Sequence, residues 1–225
     1  MIALCLALVF VGLCVSLPTT ELVRRWSLRT GRLDTEAIAG QLKTDRRRIP
    51  NTGGVGIFLG LVLPMAAAIV VAFAAPALGV LNDPAAPGLA GAVAAQLPGV
   101  RSEAPLGMLV LGCLAALHVL GIIDDRHPLG PFLKLGVMLA PGLLVATAGG
   151  TRLLELLDGY PGGVVASVAI TVVWFAAITN AMNFLDNMDG LAGGVGAIAS
   201  AALLAVALLQ GEWFVAAMLA LLLGS

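Results

Sequence analysis

Apolar residues fill most of the chain in long runs, and short polar stretches separate these runs. A helix needs about 20 such residues to cross the roughly 30 Å hydrocarbon core of a bilayer. Six runs approach that length, and a seventh begins near Trp213 and stops at Ser225. The six runs cover residues 2–17, 53–78, 104–123, 128–147, 162–180 and 191–209. The pattern predicts an all-α protein, a polytopic transmembrane helical bundle with six to seven spans.

Composition supports that class and excludes a soluble domain. The 225 residues are 60% hydrophobic and only 11% charged, and the mean hydropathy is +1.03. We expect one transmembrane domain over residues 1–225. Because the seventh run is too short to span a bilayer, we also expect the chain to be the N-terminal part of a longer protein.

Basic residues are concentrated between the first and second runs. Eight of the 12 Lys and Arg residues lie there: Arg24, Arg25, Arg29, Arg32, Lys43, Arg46, Arg47 and Arg48. By the positive-inside rule this loop is cytoplasmic, which places the N-terminus outside. Because successive spans cross the membrane in alternate directions, we expect residues 79–103 to form an external, turn-rich connector. The same threading places Asp124–Asp125 and the segment 180–189 on the cytoplasmic face with the basic loop.

Asp124 and Asp125 end the third run, in the string "GIIDDRHPL". The C-terminal end of a helix carries partial negative charge, so two carboxylates there are disfavoured unless a cation joins them. Mg²⁺ suits such a pair, because it takes one or two carboxylates and leaves its other positions to water and phosphates; Mn²⁺ is the alternative. The competing interpretation is a solvated loop start in which Arg126 screens Asp125.

A second polar motif follows the fifth run, where Asn180, Asn183, Asp186 and Asp189 are spaced by three. On a helix such residues follow one slowly drifting face. Their amides and carboxylates can hydrogen-bond a nucleotide or a sugar. Asp189 alone also has the position of an N-cap for the next helix, but that does not explain Asn180 and Asn183 inside the apolar run.

Two lysines are candidate phosphate ligands. Lys43 opens the stretch "KTDRRRIPNTGGVGIF", in which a cationic run leads through Pro50 to Gly53–Gly54. Backbone N–H groups at such a glycine turn can approach an anion, although the run also serves as a topogenic charge cluster. Lys134 stands about two turns into the fourth run, from where it can reach back to the interface and meet a phosphate.

Taken together, these segments resemble the polyprenyl-phosphate N-acetylhexosamine-1-phosphate transferase family. The string Asn180-x-x-Asn183-x-x-Asp186-x-x-Asp189-Gly190-Leu191-Ala192 carries the resemblance, downstream of an Asp-Asp pair that ends a span. The form "DDRHPL" looks closer to the UDP-GlcNAc branch of the family, the undecaprenyl-phosphate GlcNAc-1-phosphate transferase type of glycosyltransferase family 4. The basic loop is the weaker support.

The resemblance implies a multi-pass, Mg²⁺-dependent enzyme of the bacterial inner membrane. It would transfer a sugar-1-phosphate from a UDP-sugar to undecaprenyl phosphate, release UMP and begin cell-wall or surface polysaccharide synthesis. Asp124 and Asp125 would serve the metal and the lipid phosphate, one of them as a base. The nucleotide sugar would be held by Asn183, Asp186 and Asp189, while Lys43 and Lys134 would face phosphates.

Other readings of the sequence remain open. A Mg²⁺-dependent intramembrane prenyltransferase also places Asp motifs at helix ends, although it favours spacings of four. A transporter would use acidic groups as an ion pathway, and an inactive scaffold would use none of them. No nucleic-acid partner is expected, and the choice between monomer and homodimer is open.

Overall fold

The computed structural model describes residues 2–30, 53–127, 129–186 and 190–225. Within these ranges the chain forms seven α-helices and one short 3-10 helix, η1, and no strand. The elements are α1 Ile2–Thr30, α2 Gly53–Ala77, α3 Leu89–Arg126, α4 Pro131–Thr147, η1 Glu155–Gly159, α5 Gly163–Leu185, α6 Leu191–Gln210 and α7 Trp213–Gly224. The prediction of an all-α protein is confirmed.

Each of the seven helices contains all or most of one apolar run. Five of them, α1, α2, α3, α5 and α6, are long and apolar enough to cross a membrane. The other two are shorter: α4 has 17 residues and α7 has 12. A span needs roughly 17–25 residues, so α4 stands at the lower limit. The protein is therefore a polytopic membrane protein, as the hydrophobic pattern predicts.

The region between α2 and α3 differs from the prediction. Residues 79–103 were expected to form a turn-rich connector, but α3 already begins at Leu89 and runs for 38 residues. The segment before Pro98 is rich in Ala and Leu, and these strong helix formers outweigh the helix-breaking tendency of the proline. Arg101 also ties this part of α3 to α2, because its Nε donates a hydrogen bond to the carbonyl of Ala72 at 2.6 Å.

The helix α1 also extends beyond its apolar run, which ends at residue 17. Its 29 residues would measure about 44 Å, more than a hydrocarbon core. In the additional turns Glu21 accepts hydrogen bonds from Arg24 at 2.7 Å and from Arg25 at 2.6 Å. These (i, i+3) and (i, i+4) pairs favour helix over loop in the polar segment.

The chain divides into two compact units, of which the first comprises Met1–Pro64 and Ser200–Ser225. In this unit α1 packs closely on α7 through small residues. A Cβ added to Gly12 would lie 2.5 Å from the carbonyl oxygen of Leu221. The Ser16 hydroxyl donates to the carbonyl of Ser225 at 2.6 Å. Small residues allow such close backbone approach between membrane helices.

The second unit comprises Met65–Ala199 and contains all the acidic motif residues that the structure describes. Its centre is the pair α4 and α5, which are joined by residues 148–162. Shortly after α4, Leu153 is hydrogen-bonded to Ser167 and Thr171 in the first half of α5. The end of α4 therefore lies beside the start of α5, and the two helices run antiparallel.

The helices touch at Gly142, where an added Cβ would lie 3.0 Å from the Cβ of Phe175 and 3.2 Å from the Cα of Val172. This contact fixes the position of α4 along the axis of α5.

Candidate functional site

Asp124 joins three consecutive parts of the chain. It lies in the last turn of α3, and its Oδ2 accepts a hydrogen bond from Nζ of Lys134 in α4 at 2.8 Å. Its Oδ1 accepts from the backbone N–H of Leu129, in the connection between the helices, at 3.0 Å. The two side chains of the ion pair are only 23% and 28% exposed. The carboxylate therefore holds the α3–α4 turn closed.

Local sequence explains how Lys134 reaches this carboxylate. Gly130 is extended, with φ −62° and ψ 148°, and Pro131 follows at the start of α4, where its fixed φ suits the first turn of a helix. Lys134 therefore lies in the first turn of α4, and its N–H donates to the carbonyl of Gly130 at 3.1 Å. The sequence placed Lys134 about two turns deep, because it began this span at residue 128.

Asp125 occupies a different environment from its neighbour. Successive residues of a helix point about 100° apart, so the two carboxylates leave α3 in different directions. Asp125 is exposed, whereas Asp124 is partly buried. The sequence could not separate the two residues, because what distinguishes them is a contact with Lys134 ten positions further on.

The first two residues of the polar string, Asn180 and Asn183, lie in the last turns of α5, as predicted. Asn180 and Asn183 are exposed on the helix, and Asp186 is exposed directly after its last residue, Leu185. Asp189 and Lys43 lie outside the described residues. Gly190, with φ +77°, immediately precedes α6, and glycine accepts that left-handed conformation without strain.

Both motifs lie at the same end of this unit. A helix rises 1.5 Å per residue. The N-terminal end of α4 therefore lies about 16 Å from the contact between Gly142 and Phe175, and the C-terminal end of α5 lies about 15 Å from the same contact. The two helices are antiparallel, so the start of α4 and the end of α5 are level. Lys134 attaches the end of α3 to that start through Asp124. The structure thus brings Asp124, Asp125 and Lys134 together and puts the polar end of α5 at the same level.

The donor set at the end of α3 is compatible with a magnesium ion. Within the described residues no group of three His, Cys, Asp or Glu side chains could hold a metal, so the pair offers at most two carboxylates. Mg²⁺ is often held by one or two carboxylates together with water and substrate phosphates. Asp124 is partly buried and each of its oxygens accepts one hydrogen bond. Asp125 is exposed, and its exposure makes it the more accessible ligand.

Comparison with known proteins gives a consistent result. The sequence model of glycosyl transferase family 4 matches residues 107–225, a region that contains the Asp pair, Lys134 and the polar string. No solved structure matches the chain significantly.

Curated relatives carry related names. The chain is 26% identical over 206 residues to a protein of Bacillus subtilis named "Probable undecaprenyl-phosphate N-acetylglucosaminyl 1-phosphate transferase", covering 90% of this chain and 48% of that protein. It is 36% identical over 128 residues to decaprenyl-phosphate N-acetylglucosaminephosphotransferase of Mycobacterium tuberculosis, covering 52% and 31%. The corresponding Mycobacterium leprae protein is 28% identical over 201 residues, covering 87% and 45%.

The chain spans about half the length, or less, of the curated relatives it matches. The family model nevertheless covers more than half of the chain, including every site residue that the structure describes. The protein belongs to glycosyl transferase family 4.

Proposed function

We propose that the protein transfers N-acetylglucosamine-1-phosphate from UDP-N-acetylglucosamine to a polyprenyl phosphate and releases UMP. The reaction would take place at the cytoplasmic face of the bacterial inner membrane and begin the synthesis of a cell-wall or surface polysaccharide. The names of the relatives support the sugar and the lipid acceptor. The single observation that carries the proposal is the pairing of Asp124 with Lys134 beside the exposed Asp125, within the family match.

The bond changes are those of a phosphoryl transfer. An oxygen of the lipid phosphate attacks the sugar-linked phosphorus of the UDP-sugar. The bond between that phosphorus and the bridging oxygen breaks, and UMP leaves with that oxygen. Catalysis of this kind depends on positioning and charge neutralisation more than on covalent chemistry.

Asp125 would hold Mg²⁺, with Asp124 behind it. When bound, the metal supplies charge neutralisation on the diphosphate oxygens. Lys134 stands 2.8 Å from Asp124, where its ammonium group fixes that carboxylate and lies within reach of an incoming phosphate. A lysine between a carboxylate and a phosphate contributes a point charge to both and does not require rigid geometry.

The polar end of α5 would bind the nucleotide sugar. Asn183 and Asp186 are exposed at the level of the Asp pair, so they are available to accept and donate hydrogen bonds to uracil, ribose or sugar hydroxyls. Asp189 and Lys43, outside the described residues, would complete the contacts to the sugar nucleotide and its phosphates.

The test measures UMP release by the complete gene product in phospholipid vesicles. We expect release to require UDP-N-acetylglucosamine, undecaprenyl phosphate and Mg²⁺ together, and to stop when EDTA removes the metal. A decaprenyl acceptor and UDP-glucose serve as controls for the lipid and the sugar. Release of diphosphate from a prenyl diphosphate, without UMP, would instead support the prenyltransferase alternative.

A further inference from the structure

The connection between α4 and α5, residues 148–162, has the side-chain pattern of an amphipathic element. It contains η1, and a 3-10 helix has three residues per turn, so side chains three apart lie above one another. Within η1, Glu155 and Asp158 form a charged strip, while Leu156 and Leu157 form two apolar strips. Arg152 joins the charged strip through its ion pair with Asp158, and Leu153, Leu154 and Tyr160 flank η1.

The charged strip is largely neutralised within the loop itself. Arg152 donates two hydrogen bonds to the carboxylate of Asp158, from Nη1 at 3.0 Å and from Nη2 at 2.7 Å. These hydrogen bonds to the carboxylate of Asp158 raise the pKa of Arg152 above its usual value. A paired guanidinium can remain close to apolar surroundings at lower cost than an isolated one.

Two large apolar side chains of the loop are highly exposed. Leu156 is 72% exposed and Tyr160 is 68% exposed. Exposed apolar side chains continue from the loop onto the adjoining turns of the two helices, with Leu144 on α4 and Val165 on α5. An apolar surface of this kind on a membrane protein is continuous with the surface that meets lipid.

The backbone of the loop is satisfied internally at both of its junctions. The N–H of Leu153 donates to Oγ1 of Thr171 at 2.9 Å, and its carbonyl accepts from the Ser167 hydroxyl at 2.6 Å. At the other side the N–H of Tyr160 donates to the carbonyl of Leu157 at 2.9 Å. Irregular backbone is tolerated at membrane depth only when its polar groups have such partners.

The helix α4 has the lowest length that can span a bilayer. Its 17 residues would measure about 26 Å, against a hydrocarbon core of about 30 Å. The missing few ångströms must come from a thinner bilayer or from apolar residues beyond the helix end. The exposed leucines that follow α4 supply such residues.

We propose that residues 148–162 lie in the membrane interface, with Leu156 and Tyr160 in contact with lipid and with Glu155 and Asp158 facing water. The loop completes the short α4 span and holds the α4–α5 pair at a fixed depth. The partner is the lipid surface itself, and the proposal does not depend on the enzymatic activity.

Neighbouring cysteine variants test this arrangement. Leu156→Cys and Glu155→Cys are prepared in a background whose other cysteines are alanine, labelled with an environment-sensitive fluorophore and reconstituted in phosphatidylcholine vesicles. Because the two positions are one residue apart but on different strips, brominated lipid should quench the label at 156 several-fold more strongly than at 155. Aqueous iodide should quench the label at 155 more strongly. Equal iodide quenching at both positions, with no lipid quenching, overturns the proposal.

A second measurement needs no substitution. Tyr160 is the single tyrosine of the chain, so hydroxyl-radical oxidation followed by mass spectrometry reports on it directly. We expect Tyr160 in vesicles to be oxidised several-fold more slowly than in the unfolded protein. A folded tyrosine that is 68% exposed to water would be oxidised at nearly the unfolded rate, and that result refutes the interfacial position.

Discussion

The two adjacent aspartates at the end of α3 lie in different structural environments. Asp124 is bound by Lys134 and by the N–H of Leu129, whereas Asp125 is exposed. Removing the charge of Asp124 therefore affects both the turn and any chemistry, while removing that of the exposed Asp125 should cost less stability. This difference makes the pair its own internal control.

Asp125→Asn should lower the turnover of the complete enzyme by at least about two orders of magnitude, the loss expected for one strong electrostatic contribution at a reacting centre. Its thermal unfolding should be unchanged, because an exposed carboxylate contributes little to stability. Asp124→Asn should lose similar activity and about 1–2 kcal/mol of unfolding free energy, because it weakens a charged hydrogen bond. Near-normal turnover in both variants would support the solvated-loop interpretation.

The ion pair itself is tested by a double-mutant cycle. Lys134→Met leaves the carboxylate of Asp124 without its ammonium partner, and Asp124→Asn removes the negative charge. If the 2.8 Å contact contributes to folding, each variant should lose unfolding free energy. The sum of the losses of the two single variants should then exceed the loss of the double variant by about 1 kcal/mol, a usual coupling for contacting residues. Strict additivity in urea or thermal unfolding would show that the contact contributes nothing.

At the scale of elements, the antiparallel packing of α4 on α5 sets the level of both motifs. Gly142 allows that packing, because α5 leaves no room for a side chain there. A change of this contact should therefore alter the height of Lys134 relative to the polar end of α5. Stability and activity should respond together.

Gly142→Leu should push α4 and α5 apart and lower the thermal stability by about 1–3 kcal/mol, the usual cost of overpacking. Gly136→Leu on the same helix is the matched control, because no atom lies within 4 Å of an added Cβ there. Thermal unfolding of the reconstituted protein checks both variants. Equal melting temperatures would show that the close contact does not control the helix pair.

The polar string of α5 is a surface feature and not part of the packing. Asn183→Ala and Asp186→Asn should therefore weaken UDP-sugar binding or turnover without lowering the melting temperature, since both side chains are exposed. Asp189→Asn is the comparison: a helix cap would tolerate it, and a ligand carboxylate would not. Parallel losses of stability and activity would show that the polar string has a structural role and does not bind the nucleotide sugar.

The hydrophobic pattern predicted the elements better than their ends. The starts of α2 at Gly53 and α6 at Leu191 agree with the predicted runs, because a membrane-length apolar run has few alternatives to helix. The predicted start of α3 was wrong, since residues 79–103 were assigned to a turn-rich connector although the segment before Pro98 is rich in Ala. The pairing of Asp124 with Lys134 could not be predicted, because it depends on how four turn residues fold back.

At the scale of the whole molecule, the charge distribution predicts an orientation that the helices alone do not test. The basic residues between α1 and α2 outnumber those of any other connection, and such an excess is retained in the cytoplasm. That orientation places the Asp pair and the polar string where nucleotide sugars are available. The orientation also bears on the transporter alternative. The proposed enzyme needs its polar groups accessible only from the cytoplasmic face, whereas a transporter needs access from both sides.

Cysteine accessibility in intact cells tests this orientation. Single cysteines at Thr35, His127 and Asn187, in a cysteine-free background, should resist a membrane-impermeant maleimide from outside and react after permeabilisation. Asp83→Cys, in the turn between α2 and α3, is the matched control and should react in intact cells. Labelling of 35, 127 or 187 from outside would remove the shared cytoplasmic face, because the Asp pair and the polar string need the same side as the UDP-sugar.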